Sequence, residues 1–226
     1  MKNKSYIGIS LVILVFGIWA VYNIQSRVNR DNVVEDKLNE ATKKGETSDK
    51  LYVVGKAPDF KLTDQNNKPI SNKDYQNKAY VVEFFFTTCP TICPKMNANM
   101  LEVEKMFFGN PNFGIASITI DPEHDTPKVL KDHAELLGVK SSNWHFLTGD
   151  KEYIYSLANK GFKVYAGENV KANGGFEHQG YFALVDKDVN IRCRKDEYDN
   201  PIIYYDGVEK AGTQMMIKDI KILLNE

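Results

Sequence analysis

The sequence predicts an α/β sandwich over residues 51–226. Three observations carry that prediction. The runs Ala79–Phe86 and Gly114–Ile120 are almost continuously β-branched, aromatic or small, as strands buried on both faces are. Each is followed by a helical pattern that a proline opens and a glycine closes, Pro94 to Gly109 and Pro127 to Gly138. The chain then finishes with a hairpin and a helix rather than a further parallel repeat.

Taken in order, Pro58 to Ile70 alternates around Asn66-Asn67 and reads as an N-terminal β-hairpin. Glu83 is the only charge in the strand Ala79–Phe86. In the helix after Pro94, Met96, Met100, Val103 and Phe107 fall on one apolar face. Gly114–Ile120 is the second buried strand, and Thr126 caps the helix begun by Pro127. A short strand at Trp144–Leu147 precedes a helix capped by Asp150 and running to about Lys160, then a short strand at Phe162–Tyr165. Tyr181–Val185 and Val189–Arg194 form a hairpin over residues 186–188, and residues 208–224 form the last helix. This order matches the thioredoxin-like pattern, with an N-terminal hairpin and a helix-strand insertion.

The segment before the domain has a different character. Tyr6–Ile24 carries no charge and approaches the roughly 20 residues that span a bilayer. Tyr6, Trp19 and Tyr22 sit near its ends, where aromatic belts form. The run is long for the apolar part of a cleaved signal, and no A-x-A-like site follows it, so residues 1–24 read as a short tail and transmembrane signal anchor. Lys2 and Lys4 precede the span while Arg27, Arg30 and Lys37 follow it, so charge does not fix its orientation. Residues 25–50 are polar and read as a tether, with Val34, Leu38 and Ala41 at helical spacing. The formal net charge is −1, from 29 basic and 30 acidic residues, which offers no basic surface for nucleic acid.

The chemistry concentrates in Thr87-Thr-Cys-Pro-Thr-Ile-Cys-Pro94, between the first buried strand and its helix. Cys93 falls at or beside the helix N-cap, where partial positive charge and free N–H groups favour thiolate. Cys89 and Cys93 can meet as a disulfide or as two metal ligands; a static bridge across so short a loop gains little. His178 follows Gly174-Gly175 in a stretch just before a strand, where a ligand could swing onto the sulfurs. The other histidines read as bystanders: His124 solvated in a polar loop, His133 exposed on a helix, His145 packing in a strand. Glu83 lies six residues before Cys89. It is either a partly buried acid that exchanges protons with the cysteines, burial raising its pKa, or a strand-end carboxylate reaching solvent or an ion pair. Asp121 and Asp125 read as turn and cap residues before Pro127, with a partner-docking loop as the alternative. Cys193 alternates with Arg192 and Arg194 and reads as a buried, inert thiol.

Three blocks together resemble the SCO/SenC family: Phe84-Phe-Phe-Thr-Thr-Cys-Pro-Thr-Ile-Cys-Pro94, Ser117-Ile-Thr-Ile-Asp-Pro-Glu-His-Asp-Thr-Pro127 and Glu177-His-Gln-Gly-Tyr-Phe-Ala-Leu-Val-Asp186. The resemblance implies a membrane-anchored, thioredoxin-like protein that binds copper, as Cu(I) or Cu(II), through Cys89, Cys93 and His178. It implies a metallochaperone rather than an enzyme, delivering copper to the copper-bearing subunit of cytochrome c oxidase from the outer side of a bacterial inner membrane. The donors suit this independently, since thiolates select Cu(I) and imidazole suits both copper states. The same set could hold zinc, with water as fourth ligand. The alternative is a thiol–disulfide reductase in which Cys89 and Cys93 keep the same subunit's cysteines reduced. Thioredoxins face their cysteines with a cis-proline; no proline lies between Pro127 and Pro201, and His178 falls in that region, which favours metal. A peroxide-reducing activity is disfavoured because no arginine accompanies the cysteines in their motif.

Overall fold

The computed structural model describes residues 50–226 except residue 173, together with residues 14, 16, 17, 19 and 21. These five are helical and exposed. The rest of the Tyr6–Ile24 span, and the tether up to residue 49, lie outside the described residues. Among the described residues no helix is long and apolar enough to cross a membrane.

The strands are β1 (Tyr52–Lys56), β2 (Lys61–Asp64), β3 (Pro69–Ser71), β4 (Ala79–Phe85), β5 (Phe113–Thr119), β6 (Trp144–Thr148), β7 (Ala166–Glu168), β8 (Phe176–His178), β9 (Tyr181–Val185), β10 (Asn190–Lys195), β11 (Pro201–Ile202) and β12 (Tyr205–Asp206). The helices are α1 (Cys93–Phe107), α2 (Pro127–Leu137), α3 (Lys151–Ser156) and α4 (Lys210–Asn225). The main sheet runs β1-β10-β9-β4-β5-β6-β2-β3, with β11 beside β10 and β12 beside β9. β4, β5 and β6 are parallel. β9 joins β4 antiparallel, pairing Glu83 with Phe182. Every residue of β4 and β5 is buried, which is why their sequences show no polar alternation.

The helix signals act where the sequence places them. Thr126 accepts from the Val129 amide at the start of α2, and Gly138 closes that helix in the left-handed region at φ 75°. Asp150 accepts from the Tyr153 amide at the start of α3. The predicted hairpin is present as β2–β3, with Asn67 at φ 59° in its turn.

Two predictions require correction, and five strands carry no readable sequence signal. Phe162–Tyr165 is not a strand. The chain after Asp150 runs on from α3 into a π-helical turn over Leu157–Phe162, and Lys163 adopts φ 56°, which breaks extended backbone. The strand of that region is β7, and its partner β8 was unread because each has only three residues. The two-residue strands β11 and β12, and β1, whose ladder is broken by a register shift between Val53 and Gly55, are defined by pairing rather than by pattern. His133 is not exposed on its helix; its ring stacks on Phe85 at 5.7 Å and meets Phe146 edge-on at 5.9 Å. The remaining outer histidines match their reading: His145 is edge-on to Tyr75 at 5.8 Å, and His124 is half exposed.

Two ion clusters tie the end of the chain to the sheet. Arg192 of β10 bonds Asp186, Glu226 and the Leu51 carbonyl. Arg194 of β10 grips Asp219 of α4 with two nitrogens, and the Tyr205 hydroxyl donates to the same carboxylate at 2.6 Å. Cys193 between these arginines is fully buried, and burial pushes its thiol up to about 11, as an inert core cysteine requires.

Candidate metal centre

The first two donors stand where β4 gives way to α1. β4 delivers Phe84 and Phe85 into the core, Phe86 follows them, and the chain then turns so that the Cys89 amide donates to the Phe86 carbonyl at 3.3 Å. Ile92 is the N-cap of α1 and makes no side-chain cap bond, Cys93 is the first helical residue and Pro94 the second. Both cysteines are buried and free.

The third donor arrives on the β7–β8 hairpin. Gly174 holds φ 89°, and a Cβ built there would lie 2.9 Å from the Phe86 ring and 3.2 Å from Pro90. Glycine therefore lets the hairpin backbone lie directly on the cysteine turn. His178 ends β8 rather than lying in free loop, paired with Ala166. Its ring stands edge-on to Phe86 at 5.7 Å, and Phe176 packs on the same ring at 5.2 Å. His178 Nδ1 lies 3.3 Å from the Gln179 carbonyl. A metal-bound ring with Nδ1–H donating there would turn its Nε2 lone pair to the ion, whereas in the metal-free site Nε2–H can donate to the sulfurs.

His178 Nε2 lies 3.3 Å from Cys93 Sγ, and the three ligand atoms of Cys89, Cys93 and His178 all fall within 4.8 Å of one another. Three donors spread around one ion at about 2.3 Å lie roughly 4 Å apart. The set thus closes on an ion with movements of less than about 1 Å. Among the described residues it is the sole group of three or more such side chains placed to hold a metal ion.

The two sulfurs are not equivalent. Cys93 donates to Cys89, whose thiol is held far below its ordinary value; His178 and the Thr91 hydroxyl, 3.5 Å away, add to the effect against the cost of burial. Cys93 is driven the other way, first by holding that proton and then by burial. The helix terminus at Cys93 therefore does not make it the thiolate; the less deeply buried Cys89 takes that role. A metal ion that binds both sulfurs must displace the Cys93 proton, so binding releases a proton.

Glu83 is fully buried, so its solvent-reaching reading is wrong. The Ser117 hydroxyl donates to its Oε1 at 2.6 Å, and the Trp144 indole N–H donates to Ser117 at 2.8 Å. Oε2 has no partner. Burial raises the carboxyl from 4.5 to about 7 against the opposing Ser117 bond. A second effect touches the site, since the Glu83 charge pushes the Cys93 thiol up. The folded chain thus holds a proton between pH 4.5 and 7 that the unfolded chain has released. Stability must fall as pH rises through that window and level off above it, by on the order of 3 kcal/mol in all. Glu83→Gln is expected to remove this slope. Urea unfolding of both proteins across the window measures it, and parallel profiles would contradict it.

Asp121 and Asp125 are brought close to the site, unequally. Asp125 is fully buried and bonds Thr87, two residues before Cys89. Asp121 stays partly exposed, its carboxyl raised by burial and by the Asp125 charge. Its carbonyl accepts from the His124 and Asp125 amides, the turn role the sequence implies. The sequence shows Gly174-Gly175 only as a mobile approach to His178 and gives Phe86 no role; the close seat of Gly174 on the Phe86 ring emerges from the fold.

A family model described as SCO1/SenC matches residues 50–212. A curated relative described as an SCO1 protein homolog, from Bacillus subtilis, is 33% identical over 164 residues, covering 72% of this chain and 79% of the relative. The solved structure of BsSco, described by its disulfide switch and as a member of the Sco family of cytochrome c oxidase assembly proteins, is 30% identical. It aligns with a TM-score of 0.64, covering 76% of this chain and 95% of that one. Bradyrhizobium japonicum ScoI, solved with copper bound, shares the fold at a TM-score of 0.57 and 23% identity, over 74% of this chain and 98% of that one.

Proposed function

This chain belongs to the SCO1/SenC family, and from that premise we propose that it is a copper-binding assembly factor for cytochrome c oxidase. In this reading it carries copper on Cys89, Cys93 and His178 and delivers it to the copper-bearing subunit. One observation carries the reading: two sulfurs and an imidazole nitrogen, borne by separate segments, gather within 4.8 Å. Two soft sulfurs favour Cu(I) and the imidazole accommodates either copper state. Three protein donors leave a position at which a recipient's ligand can bind before these donors let go. The copper held by Bradyrhizobium japonicum ScoI supports the choice of metal.

The remaining sequence features serve this role. Tyr6–Ile24 anchors the chain in a bacterial inner membrane, with residues 51–226 on the extracytoplasmic side. The tether of residues 25–50 raises the effective concentration of the domain around a membrane-embedded oxidase. An oxidising compartment drives the cysteine pair towards disulfide, so reduction must precede loading.

The test is transfer. Chain loaded with one equivalent of Cu(I), mixed with the metal-free copper-bearing subunit, is expected to lose its copper to that subunit. Copper that stays on the chain would refute delivery. A second reading, thiol–disulfide reductase, is favoured by the Cys89 thiolate paired with a protonated Cys93, the arrangement that thiol–disulfide exchange uses. It predicts reduction of the oxidised subunit's disulfide by metal-free chain, and undetectable reduction removes it.

A further inference from the structure

We propose that Asp125 is a positioning residue for the metal centre, holding the turn that carries Cys89 from outside the cysteine motif. The proposal rests on the copper reading above for its consequence, and on the hydrogen bonds of Asp125 for its mechanism.

A carboxylate offers about four acceptor sites, and Asp125 uses four. Its Oδ2 accepts from the Thr87 amide at 3.0 Å and from the Thr119 hydroxyl at 2.5 Å. Its Oδ1 accepts from the Thr87 hydroxyl and lies 2.8 Å from His124 Nδ1. The side chain is fully buried, so no water shares the work. None of these bonds reaches α2. The cap of that helix is Thr126, whose hydroxyl accepts from the Val129 amide. The cap reading of Asp125 therefore leaves all its side-chain bonds unexplained.

Two of the four bonds end on Thr87, and the third and fourth fix the carboxylate to the end of β5 and to its own loop. The stretch from the end of β4 to Cys89 has one internal tie, from the Cys89 amide to the Phe86 carbonyl. The Ile120 amide fixes the strand end by donating to the Phe85 carbonyl at 2.8 Å, and Thr87 Oγ1 lies 3.5 Å from His124 Nδ1; beyond the strand end, Asp125 supplies the two shorter bonds that hold Thr87 to the end of β5. His178 comes from the opposite direction, on the β7–β8 hairpin against Phe86 and Pro90. Without Asp125 the Cys89 turn keeps its sequence and its helix but loses these two bonds, and the sulfur-to-imidazole spacing spreads. Outer-shell groups that orient metal ligands have this effect elsewhere, their removal costing roughly 10–100-fold in metal affinity.

The test uses the full chain, with Asp125→Ala, Asp125→Asn, Thr119→Val and Thr87→Val variants. Each is titrated with Cu(I) against a competing chelator, and amide hydrogen exchange is measured on the metal-free forms. Asp125→Ala is expected to bind Cu(I) roughly 10–100-fold more weakly and to lose exchange protection at Thr87 and Cys89. Asp125→Asn keeps a carbonyl oxygen for the Thr87 amide and is expected to recover most of both. Thr119→Val cuts the bond that fixes the carboxylate to β5 but leaves both bonds to Thr87, and is expected to weaken Cu(I) binding by less than Asp125→Ala does. Loss of exchange protection confined to Thr87 and Cys89 is the readout that a merely structural role of Asp125 would not give. A folded Asp125→Ala with wild-type affinity and wild-type protection at Thr87 overturns the proposal. If Asp125→Ala does not fold, Thr87→Val decides instead: it keeps the carboxylate, and unchanged affinity and unchanged Cys89 protection in that variant overturn the proposal. If the wild type itself takes up no copper, the copper reading fails, and the exchange measurement alone decides whether Asp125 positions the turn.

Discussion

Replacing His178 by alanine is expected to weaken Cu(I) binding by the reduced chain by more than about 100-fold, beyond the range typical of outer-shell changes. The imidazole is the one donor that does not come from the cysteine motif, and its nitrogen already lies 3.3 Å from Cys93 Sγ. Without it two sulfurs remain, which can still take a soft ion in a linear fashion but cannot offer a site suited to both copper states. Cu(II) should therefore suffer more than Cu(I). The fold should survive, because the ring packs edge-on against Phe86 at the edge of the core rather than in its centre. Competition titrations with each copper state, on wild type and His178→Ala, check this. Equal affinity for both proteins in both states would show that His178 is not a ligand.

The second large effect concerns stability. Asp219→Ala is expected to cost about 3 kcal/mol and to lower the melting temperature by roughly 6–12 °C. Asp219 is fully buried and accepts from Arg194 and from the Tyr205 hydroxyl. Its removal strands a buried phenol and half-buries an unpaired guanidinium, and each unmet group costs about 1–3 kcal/mol. Arg194 keeps 27% of its side chain exposed, so water recovers part of its share, which holds the figure below that for a fully buried ion pair. Copper affinity measured well below the transition should be unchanged, since this cluster joins α4 to β10 and β12, away from the ligands. A melting temperature within 2 °C of wild type, roughly 0.5–1 kcal/mol, would contradict a stabilising role for this cluster.

These two sites also mark the limits of what the sequence discloses. The buried parallel strands, the capped helices and the Cys89–Cys93 turn are legible because each is encoded locally: apolar runs, Pro and Gly at helix ends, a cysteine spacing. His178 is legible through its block and its glycine pair. The Asp219–Arg194–Tyr205 cluster is not, because its members are separated by up to 25 residues and no local pattern joins them. Asp125 shows the same limit more finely. Beside Thr126-Pro127 it has the sequence context of a cap, yet its side chain reaches 38 residues back to Thr87. The unequal sulfurs show it too: the helix terminus beside Cys93 is local, whereas the proton that Cys93 gives to Cys89, and the deeper burial of Cys93, depend on the folded chain. Short strands defined only by their partners, such as β7 and β8, are invisible until the chain is folded.

X-ray absorption at the copper edge, on full-length chain loaded with one equivalent of Cu(I), tests the three-donor centre most directly. Two sulfur scatterers and one nitrogen of imidazole type are expected, with the nitrogen lost in His178→Ala and one sulfur lost in each of Cys89→Ala and Cys93→Ala. A copper shell with no sulfur, or one that the His178 change leaves as it was, would contradict the account.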